Sequence, residues 1–172
     1  YVGFDAKTLD DDQLDYAQQH LGILSGLYGL LRPRDLMQPY RLEMGTRLEN
    51  PRGKDLYAFW GNRITGAINE ALAGQADATL INLASNEYFK SVKKKELQGE
   101  IITPVFKEIK DGKARIVSFF SKKARGAMAR HIVQNRLTDP VDLQGFTAGG
   151  YRYEAEGSNS EMMLFTRDYP KA

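Results

Sequence analysis

The spacing of apolar residues divides the chain into alternating helix-like and strand-like stretches. Leu14, Ala17 and Leu21 recur at helical intervals behind the acidic cluster Asp10–Asp12, which suits a helix N-terminus, and together they predict a short helix over Thr8–His20. The apolar run Leu21–Leu24 is closed by Ser25-Gly26 and Gly29 and reads as a buried strand. Between Arg32 and Pro51, Pro33, Pro39 and Pro51 interrupt any period and predict an irregular segment of the kind that often carries function. An apolar stripe of Leu56, Trp60, Ile64, Ile68 and Leu72 predicts one helix from Asp55 to Leu72, ended by Gly74.

Ala78–Leu83 reads as a buried strand, after which Ser85 or Asn86 caps a helix carrying Phe89, Val92 and Leu97. Ile101–Ile109 and Ala114–Phe120 read as two strands joined by Asp111-Gly112, the pair preferred in a two-residue type I′ turn. Pro104 has no amide to donate and predicts an edge or bulged strand. A helix from about Lys122 to Arg136, a glycine-rich break at Gly145–Gly150 and a last hairpin, Tyr151–Ala155 with Glu161–Thr166, complete the pattern. Such an alternation predicts an α/β protein (mixed α+β), a mixed sheet with flanking helices, folded as a single domain over residues 1–172.

Composition narrows the chemistry. The chain has no Cys and two scattered histidines, His20 and His131, so disulfides and thiolate nucleophiles are excluded and neither a metal site nor a cofactor is expected. No apolar run reaches the ~20 residues of a membrane helix, and the expected location is the cytoplasm. Net charge is only +2, but its distribution is uneven. Asp5 to Asp15 holds five acids against Lys7, whereas Gly112 to Thr138 holds seven bases and no acid. A local field of that kind attracts polyanions, although a solvated face is the plain alternative.

The predicted helix from Lys122 carries Ala124, Ala127, Met128, His131 and Ile132 on one face and Lys122, Lys123, Arg125 and Arg130 on the other. Cations beside a helix N-terminus oppose its dipole, so Lys122 and Lys123 suit a bound anion, with simple amphipathicity as the alternative. Arg32, Arg41 and Lys90 are further phosphate-binding candidates, although an Arg–Asp35 or Arg41–Glu43 pair would serve equally. Three segments, Leu24–Gly29, Asn82–Tyr88 and Ser121–Gly126, each follow an apparent strand and would converge on one pocket if those strands were parallel neighbours. That pocket would hold Ser25, Tyr28, Asn82, Ser85, Glu87 and Tyr88, with Glu87 the candidate acid or base.

The residues also resemble a known family. Ser25-Gly-Leu-Tyr-Gly-Leu-Leu-Arg-Pro33, Pro39-Tyr-Arg-Leu-Glu-Met-Gly45, Leu56-Tyr-Ala-Phe-Trp-Gly61, Ile81–Lys90 and Lys122–Met128 are similar, in order, to blocks of the bacterial YaaA peroxide-stress family, with Arg34 a departure where an apolar residue is expected. The resemblance implies a stress protein that limits free intracellular iron under hydrogen peroxide, and a positively charged cleft that binds duplex DNA with little sequence preference. It also implies a longer protein, of which this chain would be roughly the C-terminal two-thirds. A binding protein is the leading expectation. The alternative is an enzyme acting on a nucleotide or nucleobase, with a small phosphorylated ligand in the pocket.

Overall fold

A computed structural model describes residues 1–170. In chain order, α1 spans Asp11–His20, β1 Ile23–Ser25 and β2 Gly29–Leu31. Next come α2 (Leu56–Trp60), α3 (Arg63–Ala73), β3 (Thr79–Ile81) and α4 (Asn86–Phe89). Finally β4 runs Glu100–Lys110, β5 Lys113–Arg115, α5 Ser118–Asn135, β6 Arg152–Asn159 and β7 Met162–Asp168. The mixed α/β class with a helix-flanked mixed sheet is as expected. The chain forms two compact units, one made of Tyr1–Leu14, Thr79–Leu83 and the residues from Ile101 on, the other of Asp15–Ala78 and Ala84–Glu100.

The first unit holds a five-stranded sheet in the order β3-β4-β7-β6, with β5 added to β4. β4 runs parallel to β7 and antiparallel to β5, and β6 antiparallel to β7. Alternate residues of β4 turn inward, and Ile102 and Phe106 join Phe165, Phe146, Tyr151, Ala124 and Met128 in one core. Phe106 packs on Phe165, Phe146 and Tyr151 with ring centroids 5.4, 5.8 and 5.2 Å away, pairs that each contribute roughly 0.5–1.5 kcal/mol beyond area burial. The Asp111-Gly112 turn has φ of 52° and 72°, the two positive values a type I′ hairpin needs.

Pro104 does not place β4 on an edge, since β4 lies between β7 and both β3 and β5. The Thr103 amide donates towards β7, to Glu161 O at 2.8 Å. Amides alternate along a strand, so the Pro104 nitrogen faces the other side, between the end of β3 and the start of β5 where no ladder amide is required. A second departure lies beyond the turn. β5 stops at Arg115 and α5 has begun by Ser118, so of the expected strand Ala114–Phe120 only Ala114 and Arg115 are strand, and Ser118–Phe120 are helix.

The second unit contains the β1–β2 hairpin, a two-stranded sheet in which Ser25 pairs with Gly29. The helix expected over Asp55–Leu72 is two helices, parted at Gly61, whose φ of 52° ends α2. Asp55 caps α2 by accepting from the Ala58 amide at 2.8 Å. Ser85 caps α4 as anticipated, but α4 closes after Phe89 instead of running on to Leu97. Residues 32–51 contain no helix or extended strand.

Candidate functional site

α5 is the cationic element of the first unit. Its 18 residues include Lys122, Lys123, Arg125 and Arg130 and no acid. Because α5 begins at Ser118, Lys122 and Lys123 stand a full turn inside it and not at its N-terminus, so dipole opposition is not what marks them. Both are exposed, and neither takes part in an ion pair among the described residues. The other two cations differ. Arg125 is half-buried, its Nε donates to Ser121 O of its own helix at 3.3 Å, and burial lowers its guanidinium below the ordinary value. Arg130 donates to the carbonyl oxygens of Phe4 and Asp5, at 2.9 Å each. The first residues of the chain therefore lie along α5, close enough that a Cβ at Gly3 would stand 2.1 Å from Lys123 O.

In the second unit, the β1–β2 loop and the irregular segment after it meet α4. The buried Ser25 hydroxyl accepts from the Tyr28 amide at 2.9 Å and shares a short hydrogen bond with the Tyr40 hydroxyl. Tyr28 meets Tyr40 edge-on at 5.6 Å, and its own hydroxyl accepts from the Gln38 amide. Trp60 Nε1 donates to Gly26 O at 3.0 Å and so fixes the loop. Tyr88 donates to Glu43 Oε2 at 2.7 Å. Burial, then that hydrogen bond and the charges of Glu43, Tyr40 and Glu87, push the Tyr88 phenol far above its ordinary value. It is a hydrogen-bond donor here and not a base.

Glu87, the candidate acid or base, accepts from the Gly45 amide at 2.9 Å, while its backbone carbonyl accepts from the Tyr57 hydroxyl at 2.8 Å. The Lys90 ammonium sits 4.9 Å from the Tyr57 ring centroid. Ser25, Tyr28, Ser85, Glu87 and Tyr88 thus share one unit, whereas Asn82 belongs to the other, where its Nδ2 faces Thr103 Oγ1 at 3.3 Å. Arg32 is bound to Asp35, with Nε at 3.2 Å and a terminal nitrogen at 3.1 Å from Oδ1, and Arg32 holds the Asp35 carboxyl below its usual range. Arg41 is exposed.

The expected convergence of three parallel strand ends does not occur. β1 pairs with β2 in a sheet of their own, and Ser121–Gly126 is helix and follows no strand directly.

Sequence reasoning missed the polar centre of the first unit. Glu108 is fully buried, on the inward face of β4 with Ile102 and Phe106. Its Oε1 accepts a short hydrogen bond from Tyr151 and one from Arg167 Nε at 3.3 Å, and its Oε2 faces the Val117 amide at 3.3 Å. The period-2 signal was present, since Glu108 falls in phase with Ile102, Pro104 and Phe106. Among the described residues no three His, Asp or Glu side chains converge to hold a metal ion, and no helix is long and apolar enough to cross a membrane.

A five-stranded mixed sheet with an acid-free cationic helix and a buried, paired carboxylate defines a mixed α/β protein. A family model described as peroxide stress protein YaaA matches residues 1–157. The chain belongs to that family of peroxide stress proteins.

Proposed function

We propose that this peroxide stress protein protects the cell by lowering free iron under hydrogen peroxide, and that it binds duplex DNA non-specifically through the exposed lysines of α5. The iron part follows the family resemblance. The DNA part is carried by one observation: Lys122 and Lys123 stand exposed and, among the described residues, without ion-pair partners on an 18-residue helix that holds four cations and no acid. Such a surface supplies phosphate contacts, which give affinity and register but read little sequence. Arg125 and Arg130 are partly buried and bonded to backbone carbonyls, Arg125 to its own helix and Arg130 to residues 4 and 5.

Salt titration tests the DNA part. Each neutralised phosphate lowers the slope of log K against log salt by roughly 0.9, so Lys122→Ala with Lys123→Ala flattens it by about 2. A folded double variant that keeps the parental slope would remove α5 from the interface. For the iron part, a deletion strain loses viability in hydrogen peroxide and a cell-permeant iron chelator restores it. Sensitivity that a chelator leaves untouched would sink the iron reading and leave the DNA reading standing.

A further inference from the structure

The β4–β5 hairpin, the residues leading into α5 and the end of β7 line an open surface cleft of about 360 Å³, formed wholly by residues of the first unit. Volumes of this order are ordinary for small-molecule sites. Lys110, Lys113 and Arg115 stand around it with two carboxylates, Asp111 at the rim and the buried Glu108, which Arg167 already neutralises. Neither the family resemblance nor the DNA reading above involves it.

Two features of the rim favour an anionic ligand. Lys110 and Lys113 are direct cross-strand partners on either side of the turn, and like charges placed opposite each other destabilise a ladder. Arg115 is the register partner of Glu108, yet the Glu108 carboxylate turns inward to Tyr151, Arg167 and the Val117 amide. Arg115 is thereby left exposed beside a carboxylate already matched by another guanidinium, with no ion pair of its own among the described residues. An anion carrying more than one charge would relieve the lysine pair and engage Arg115 at once, and a guanidinium forks well onto phosphate oxygens.

The inner wall is different in kind. Beside the paired Glu108 it offers Val117 and Tyr169, one apolar and one aromatic, and the Tyr169 backbone is held by its amide, which donates to Ile109 O at 2.9 Å. The Lys110 ammonium lies 5.2 Å from the Tyr169 ring centroid and joins the cationic rim to the aromatic wall. The Asp111-Gly112 turn sets the spacing of the cations, so the rim is built before any ligand arrives. Clustered phosphates at one end and a planar ring at the other match this arrangement, in a space sized for one such molecule.

We propose that this cleft binds a nucleoside polyphosphate, with the phosphates on Lys110, Lys113 and Arg115 and the base against Tyr169 and Val117. Adenosine triphosphate titrated calorimetrically into the DNA-free protein tests it, with inorganic tripolyphosphate as the second arm. The expected result is saturable binding of the nucleotide, weakened at least tenfold by Lys113→Ala with Arg115→Ala. Both positions are exposed, and an unchanged circular dichroism spectrum and thermal midpoint establish that the double variant folds. Tyr169→Ala is expected to weaken the nucleotide but not tripolyphosphate.

Four outcomes would overturn the assignment: no saturable nucleotide binding, an affinity the folded double variant does not change, tripolyphosphate binding as tightly as the nucleotide, or an oligonucleotide held by Lys113 and Arg115 where the nucleotide is not. None of these depends on the Lys122 and Lys123 salt slope, so the two readings fail separately.

Discussion

Arg167 Nε lies 3.3 Å from Glu108 Oε1, and the Glu108 side chain has no exposed surface at all. The guanidinium carbon is 4.4 Å from the Tyr151 ring centroid and 4.8 Å from that of Phe120, and a terminal nitrogen donates to Gly149 O at 2.9 Å. One arginine therefore neutralises a core carboxylate, packs against two aromatic rings and fastens the turn before β6. Burial first, and then the bond to Glu108, holds the Tyr151 phenol well above its ordinary value, so Tyr151 cannot supply a charge here.

Removing one partner of such a pair leaves a buried charge uncompensated. Arg167→Met is expected to destabilise the protein by about 3–5 kcal/mol at neutral pH. Adding Glu108→Gln should recover a large part of that loss, because the orphaned charge goes with it. Urea denaturation of the parent, both single variants and the double variant measures the coupling. A single Arg167→Met variant as stable as the parent would show that Tyr151 and the Val117 amide satisfy Glu108 unaided.

The cations of α5 should divide cleanly into two kinds. Arg130 holds two backbone carbonyls, and hydrogen bonds from a charged donor contribute roughly 1.5–3 kcal/mol, so Arg130→Ala is expected to lower stability by at least that order. Gly126→Ala should cost about 1–3 kcal/mol, because its Cβ would stand 2.9 Å from the Phe4 nitrogen, too close for backbone to yield cheaply. Lys122→Ala touches nothing comparable and should stay within about 0.5 kcal/mol. Denaturation midpoints check all three, and a Lys122→Ala loss equal to that of Arg130→Ala would refute the division.

Much of this was legible in the sequence, and what was not has identifiable causes. Asp111-Gly112 specified its hairpin because the two positive φ values are a local demand. Ser85 specified the start of α4 for the same reason, as a side chain that caps its own helix. The start of α5 was illegible, since Ile116, Val117, Phe119 and Phe120 read as strand formers. What bears on that start is a distant group, the Glu108 carboxylate facing the Val117 amide, and periodicity cannot anticipate it. It leaves Phe119 73% exposed, so side-chain burial does not explain the helix there. The site residues were legible as types but not as a set. Lys122 and Arg130 look alike in sequence, yet one is exposed and the other is bound to Phe4 and Asp5 from more than a hundred residues away.

His131 should give the protein a mild acid sensitivity. Its ring packs edge-on against Phe146 at 5.6 Å, and burial lowers its pKa below the ordinary 6.5. The folded state therefore binds that proton less readily than the unfolded chain. Stability from this source is complete above about pH 6.5 and is lost as pH falls from there through the lowered folded value. His20 is lowered too, by burial, and adds in the same direction. Urea midpoints should fall between pH 7 and 5, and His131→Phe should make that fall shallower. An unaltered pH profile in the variant would assign the whole effect to other groups.

Glu87 offers the sharpest separation between anchoring and acid–base chemistry. Its carboxylate accepts from the Gly45 amide and so ties the irregular segment to α4, while Tyr88 on the same short helix reaches Glu43 two residues earlier in that segment. A glutamine side chain still offers an oxygen to the Gly45 amide, so Glu87→Gln preserves the tie while removing the charge and any proton transfer. Glu87→Ala removes the tie as well. Because both residues are exposed, water can replace the lost bond, and the expected cost is only about 0.5–1.5 kcal/mol. That loss should be felt locally, as faster proteolysis within residues 41–49 and little change in the global midpoint. If Glu87 is an anchor, the Gln variant protects a deletion strain from hydrogen peroxide as the parent does, keeps the parental DNA salt slope, and leaves the segment as protease-resistant as before. Loss of protection in a Gln variant that retains that resistance would identify proton transfer at Glu87 and bring an enzymatic role for the second unit to the front.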